Sequence, residues 1–225
     1  KSKRHLNYVF RLFMQGFIDI HTHNTSGENT IVNFYQDFEQ SNTVKHCSLG
    51  LHPWYLQNAA QDFETLQQYV HQNNVLAIGE CGLDKLSQTD WILQEKYFLK
   101  QIDLANSLHK PLIVHCVRAY NECIALLEKA SVPAIFHGFN RNLNIAQMLL
   151  DKGFYLSIGV SIFQESFASV FAALPLEKIF FETDDKEEIN IESVYKRAAE
   201  IKNIALETLI LQIENNYQKV FTNAR

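Results

Sequence analysis

Two histidines separated by one residue, His21 and His23, follow the short apolar run Phe17–Ile20. Five more residues of metal-ligand type follow runs of the same kind: His52 after Cys47–Leu51, Glu80 after Val75–Ile78, His115 after Leu112–Val114, His137 after Ala134–Phe136 and Asp184 after Ile179–Phe181. Imidazole and carboxylate suit zinc, manganese and similar divalent ions. Residues two apart on a strand point to one face, so His21 and His23 can serve the same ion. Four histidines, one shared carboxylate and one terminal aspartate suffice for two ions. Taken singly, each residue has an ordinary explanation, because buried polar groups mostly pair structurally. Their recurrence at the ends of apolar runs is what points to a metal site.

The runs that would position them, completed by Thr30–Tyr35 and Phe154–Ile158, are short, continuous and rich in β-branched and aromatic residues. Strands buried on both faces of a parallel sheet read this way. Between them lie amphipathic stretches at helical spacing: Phe63, Leu66, Tyr69 and Val70; Trp91, Phe98, Ile102 and Ala105; Ile124 and Leu127; Ile145, Met148 and Leu149; Phe163, Phe167, Val170 and Phe171. Two more close the chain, Val194–Ile201 and Leu206–Val220. The alternation predicts an α/β fold, a (β/α)8 TIM barrel, whose strand ends converge on one mouth. The links between the first three runs are shorter than the dozen or so residues a helical crossover needs. The first two crossover helices are therefore expected to be shortened or missing.

At 225 residues, with 47% hydrophobic and 20% charged content, the chain has the composition of a globular protein and not of a disordered one. No apolar run approaches the roughly 20 residues of a membrane-spanning helix, so no membrane partner is expected. A formal charge of -5 excludes nucleic-acid binding through bulk basicity. Cys47, Cys81, Cys116 and Cys123 form no CxxC pair and read as reduced, pointing to a cytoplasmic location. Without an internal linker or repeat, residues 17–225 read as one domain behind an N-terminal extension, 1–16. Arg11 interrupts the apolar stretch there, which argues against a signal peptide. No obligate protein partner is evident.

Six segments occur in the order found in one family. Asp19-Ile-His-Thr-His23, Gly50-Leu-His-Pro53, Gly79-Glu-Cys-Gly-Leu-Asp84, Pro111-Leu-Ile-Val-His115, Phe136-His-Gly-Phe139 and Glu182-Thr-Asp184 resemble the TatD family of metal-dependent hydrolases, which includes deoxyribonucleases of the amidohydrolase superfamily. The resemblance covers roughly residues 17–221. It implies that His21, His23 and Asp184 hold one divalent ion (Zn, Mn or Mg) and His115 and His137 a second, with Glu80 bridging. It also implies hydrolysis by a metal-activated water, with Asp184 and Glu80 as catalytic residues and a phosphodiester, DNA or a smaller phosphoester, as substrate. His52 and Arg118 are the candidates for binding that substrate. Asp84 is expected to pin its loop, Trp54 and Tyr55 to stack on a base or cover the core, and Lys85 and Arg141 to sit on the rim.

The sequence departs from the family after Asp184. Asp185-Lys-Glu-Glu188 replaces a small residue, a proline and an Arg-Asn-x-Pro element. An acidic rim of Asp185, Glu187 and Glu188 repels a polyanion if it faces the mouth. Two other readings therefore stand beside the first: hydrolysis or deamination of a small C–N or C–O substrate, and a non-catalytic metal-binding barrel.

Overall fold

A computed structural model describes residues 16–186 and 188–222, so the expected extension lies, apart from Gly16, outside the described residues. Eight parallel strands run in chain order: β1 (Asp19–Thr22), β2 (Thr30–Phe34), β3 (Cys47–Leu49), β4 (Val75–Asp84), β5 (Leu112–Val117), β6 (Ala134–Phe136), β7 (Tyr155–Ile158) and β8 (Ile179–Phe181). A parallel bridge between Thr22 and Asp184 draws the last strand back to the first. There the Asp184 N–H donates to the His21 carbonyl at 2.9 Å, and the His23 N–H to the Asp184 carbonyl at 3.1 Å. The sheet is thus a nearly closed TIM barrel.

Among the described residues, seven α-helices clad it: α1 (Ala59–Tyr69), α2 (Trp91–Leu108), α3 (Tyr120–Leu127), α4 (Leu143–Asp151), α5 (Glu165–Ala173), α6 (Ile191–Lys202) and α7 (Leu206–Tyr217). Their apolar stripes bury Phe63 and Leu66, Phe98 and Ile102, Leu149, Phe167 and Phe171, and Val194 and Tyr195 against the strands. Each such side chain contributes about 1.5–3 kcal/mol on burial. The longest helix, α2, starts where the Asp90 side chain accepts the Leu93 N–H and stops where His109 turns left-handed. As expected, no helix joins β1 to β2, and only a 3-10 turn, Phe38–Thr43, lies between β2 and β3.

Two elements differ from the sequence reading. Phe163 does not belong to the helical face of α5; it ends a separate 3-10 turn, Val160–Phe163, and is 40% exposed, because Gln164 is extended and breaks the helix there. Strand β4 does not stop before Glu80 but runs on to Asp84, so Glu80 sits within the strand. Gly79 and Gly82 allow β4 and β5 to touch. A Cβ on Gly79 would meet the Ile113 carbonyl oxygen at 2.5 Å, and both glycines have φ near +150°. The pairing of β4 with β5 shifts register between Ile78 and Cys81, and this irregularity re-aims Glu80.

Candidate metal centre

The carboxylate of Glu80 is the hub of the barrel mouth. Its Oε1 lies 2.7 Å from His115 Nδ1, 2.7 Å from His137 Nε2 and 3.1 Å from His52 Nε2. Its Oε2 lies 3.5 Å from His21 Nε2 and accepts a hydrogen bond from the Asn33 amide at 3.3 Å. Asp184, displayed on a left-handed residue just past β8, puts Oδ1 3.4 Å from His21 Nε2 and 3.6 Å from His23 Nε2. All six residues expected to ligate metal, together with His52, therefore meet in one place. Among the described residues, every cluster of three or more metal-capable side chains lies here.

The donor set fits divalent ions. Among the described residues neither ring nitrogen of His21 has a hydrogen-bond partner although the residue is fully buried, a costly arrangement unless another group engages it. Its separations from Glu80 and Asp184, 3.4–3.5 Å, are long for hydrogen bonds. They match the spacing of about 3.3–3.4 Å between ligands that share a tetrahedral ion at bond lengths of about 2.0–2.1 Å. Around Glu80 Oε1 the imidazoles are drawn in to hydrogen-bond length instead.

Electrostatics run the same way. Burial and the neighbouring His137 oppose charge on His21, yet the Asp184 and Glu80 carboxylates outweigh them and raise its pKa to about 9. His137 is raised well above its ordinary value, burial being overcome by Glu80 and Glu182, and His115 is raised by Asp84 and Glu80 against the same penalty. Burial alone would lift Glu80, but His137, His115 and His21 hold it well below the usual carboxylate range. Asp184 is likewise depressed, against burial, by His21 and His23. A field that holds protons on buried imidazoles also favours cations, which compete for the same nitrogens.

His52 differs from the other histidines. Its Nδ1 accepts the Trp54 N–H at 3.1 Å, which leaves the ring proton on Nε2, aimed at Glu80 Oε1. Burial lowers its pKa despite Glu80, favouring the neutral ring. A neutral imidazole in this tautomer donates through Nε2 and has no lone pair there for a metal.

The cavity at the mouth holds about 270 Å³ and is lined by His23, Tyr35, His52, Trp54, Tyr55, Glu80, His115, His137, Asp184 and Asp185. Tyr35 and Tyr55 stack at 4.9 Å, and half-exposed Trp54 stands edge-on to His52 at 5.0 Å. Trp54 and Tyr55 therefore border the cavity. Arg118 does not: it is exposed and left-handed at the end of β5 and is not among the lining residues. Lys85 pairs with Glu122, and the Arg141 Nε–H donates to the Tyr120 hydroxyl. Asp185 reaches the rim paired with Lys186, Glu188 is exposed, and Glu187 lies outside the described residues.

Sequence reasoning missed four supporting residues. The Asn33 side-chain oxygen accepts the Glu80 N–H at 2.8 Å and the Ser48 hydroxyl at 3.2 Å. Asp19, its pKa raised to about 7 by burial against its hydrogen bond from Thr183, accepts the His21 N–H and the Thr183 hydroxyl. Glu182 stands behind His137, and Tyr35 completes the aromatic wall. A polar residue inside a continuous apolar run, as in Ile31-Val32-Asn33-Phe34, was the available signal for Asn33.

A family model described as TatD-related DNase matches residues 4–222. The chain belongs to the TatD family. Like other TatD proteins it is a metal-dependent hydrolase. A Buchnera aphidicola relative named as a metal-dependent hydrolase is 27% identical over 98% of this chain and 85% of its own length. Escherichia coli YcfH, named likewise, is 29% identical over 81% of this chain and 75% of its own. The crystal structure of the TatD homologue YjjV from E. coli superposes with a TM-score of 0.80, covering 91% of this chain and 97% of that one at 22% identity. This last likeness is one of fold. No helix among the described residues is long and apolar enough to cross a membrane.

Proposed function

We propose that this TatD protein hydrolyses phosphodiester or smaller phosphoester bonds with two divalent ions, His21, His23 and Asp184 serving one, His115 and His137 the other, and Glu80 both. The observation that carries this reading is the division of Glu80: one carboxylate oxygen faces His115 and His137, the other faces His21. When bound, such ions bring the pKa of a water from 15.7 toward about 7 and polarise a phosphoryl oxygen. Asp184, the more exposed of the two ligand carboxylates, orients the attacking water and takes its proton. The His52 Nε2–H hydrogen-bonds an oxygen of the substrate. Trp54 and Tyr55 offer faces on which a base can stack, and Arg118 grips a phosphate beyond the cavity. Two ligand carboxylates against two divalent ions leave the ligand set itself net positive, which suits an anionic ester, although Asp84, Glu182 and Asp185 beside it offset that excess. The DNase description of the family model favours DNA among such esters.

One observation favours a second reading, hydrolysis or deamination of a small C–N or C–O substrate. Among the described residues no lysine or arginine lines the cavity, and Asp185 does.

The test is metal analysis of the purified protein, then turnover of DNA oligonucleotides, an aryl phosphodiester and a panel of amides and esters, each with and without chelator. Chelator-sensitive phosphodiester cleavage is expected, reduced more than about 100-fold by His21→Ala or Asp184→Ala, since even the partners behind metal ligands are worth 10–100-fold. Turnover confined to amides or carboxylic esters overturns the phosphodiester assignment.

A further inference from the structure

One carboxylate oxygen at the mouth is shared between a ligand histidine and the aromatic wall. Asp84, buried at the end of β4, places Oδ2 3.0 Å from His115 Nε2. The same oxygen accepts the Trp54 indole N–H at 2.6 Å. Burial would raise Asp84, but His115, Trp54 and Leu86 bring its pKa down to about 2. An ionised carboxylate only accepts hydrogen bonds, so the His115 Nε2 proton faces Asp84. In the neutral ring the lone pair then falls on Nδ1, the nitrogen turned toward the shared carboxylate of Glu80 at 2.7 Å.

Pinning the loop after β4 does not account for this oxygen. The Asp84 N–H donates to Gln94 Oε1 at 2.8 Å, and the Asp84 carbonyl accepts from Gln94 Nε2 at 3.2 Å. Oδ1 accepts the Leu86 N–H at 2.7 Å. The backbone and Oδ1 therefore hold the loop, and Oδ2 is left to His115 and Trp54. A carboxylate on the far nitrogen of a ligand histidine fixes its tautomer and ring orientation and raises its basicity, an effect worth about 10–100-fold in metal affinity.

Trp54 reaches the site by two arms. Its backbone N–H donates to His52 Nδ1, and its indole N–H to Asp84. The ring stands half-exposed at the cavity lip, edge-on to His115 with centroids 6.1 Å apart. An indole at such a lip could satisfy its N–H with water; here the N–H turns inward to a buried charge, where a hydrogen bond is stronger than between neutral groups. The Trp54 carbonyl is held separately, by the Thr89 hydroxyl and the Gln57 amide at 3.3 Å each. Exchanging the indole for a phenyl ring thus removes the inner arm and leaves the backbone arm and an aromatic face in place.

We propose that Trp54 is a positioning residue for the metal ligand His115, acting through Asp84 Oδ2, so that the side chain walling the cavity also aims an imidazole at the ion. The inference rests on the reading of His115 as a ligand given under Proposed function. Its test is competition for zinc between the full chain and a chromophoric chelator, with bound zinc counted by elemental analysis. His115→Ala marks the binding step to be followed, by weakening or abolishing it.

On that step Asp84→Asn is expected to cost about 10–100-fold in affinity, and Trp54→Phe about 3–10-fold, less because it acts one residue further out. In the Asp84→Asn background Trp54→Phe is expected to cost little more, since both act through one oxygen. The urea midpoint of the metal-free chain is the control. A lowered midpoint in Trp54→Phe with zinc affinity at the wild-type value is the mark of a merely structural contact and overturns the proposal. A Trp54→Phe effect of full size in the Asp84→Asn background overturns it too. Should His115→Ala bind zinc as wild type does, the ligand reading fails and the positioning role falls with it; weakened binding in His115→Ala beside unchanged binding in Trp54→Phe removes the positioning role alone.

Discussion

The stretch from β1 to β3 and the stretch from β4 onward solve the same problem by different means. From β4 on, amphipathic helices cover the barrel and hold strand ends in place through apolar contact: α2 alone buries Phe98, Ile102 and Ala105. Between β1 and β3 there is no α-helix, yet this stretch carries His21 and His23 and leads into His52. Polar side chains reaching in from elsewhere take over. Gln101 of α2 accepts the Leu51 N–H at 2.7 Å and donates to the Leu51 carbonyl at 3.1 Å, clamping the residue before His52. The Tyr195 hydroxyl of α6 accepts the Ile18 N–H and donates to the Ile18 carbonyl, just ahead of β1. Asn33 ties β2 to the Glu80 backbone. A barrel wall can thus lose its crossover helices without losing its aim, provided buried hydrogen bonds fix the positions that helices would have packed.

If that contrast is correct, the two regions respond differently to damage. The largest loss of stability is expected on the helical side: Phe98→Ala, which empties a fully packed site, costs about 3–5 kcal/mol, read as a lower urea midpoint, with activity per folded molecule retained. On the polar side, Gln101→Ala strands a buried N–H and a buried carbonyl and costs about 2–3 kcal/mol. Here turnover per folded molecule should fall as well, because His52 loses its anchor. Unchanged turnover in Gln101→Ala would erase the distinction between packing and pinning. The smallest effect belongs to a surface cation on the helical side. Arg118→Ala removes an exposed cation, worth no more than about 1 kcal/mol at the surface, so it should raise KM for a phosphodiester by less than about tenfold and leave the urea midpoint unmoved.

The barrel and most of its mouth could be read from the sequence because one rule governs both: apolar runs become strands, and the residue just past a run stands at the mouth. His21, His115, His137 and Asp184 obey that rule. The residues that escaped were those whose role depends on a partner far along the chain. Glu182 gains meaning only behind His137, and Asn33 only beside a carboxylate 47 positions away. The reach of β4 was hidden for another reason. Glycine signals a turn more often than a close approach of two backbones, and Gly79 and Gly82 are the second kind. Arg118, named for its place three residues after His115, stands exposed on a left-handed residue at the strand end, outside the cavity lining.

The seam between the first and last strands is sewn by the backbone of His21, His23 and Asp184, the residues whose side chains converge above it, although Thr22 and Asp184 stand 162 positions apart. An ion gripped there would act as a clasp on a very long loop, much as a reversible covalent cross-link would. Tension applied to the two ends of the barrel would meet that clasp early, so the mechanical toughness of the molecule becomes a property its metal supply can tune.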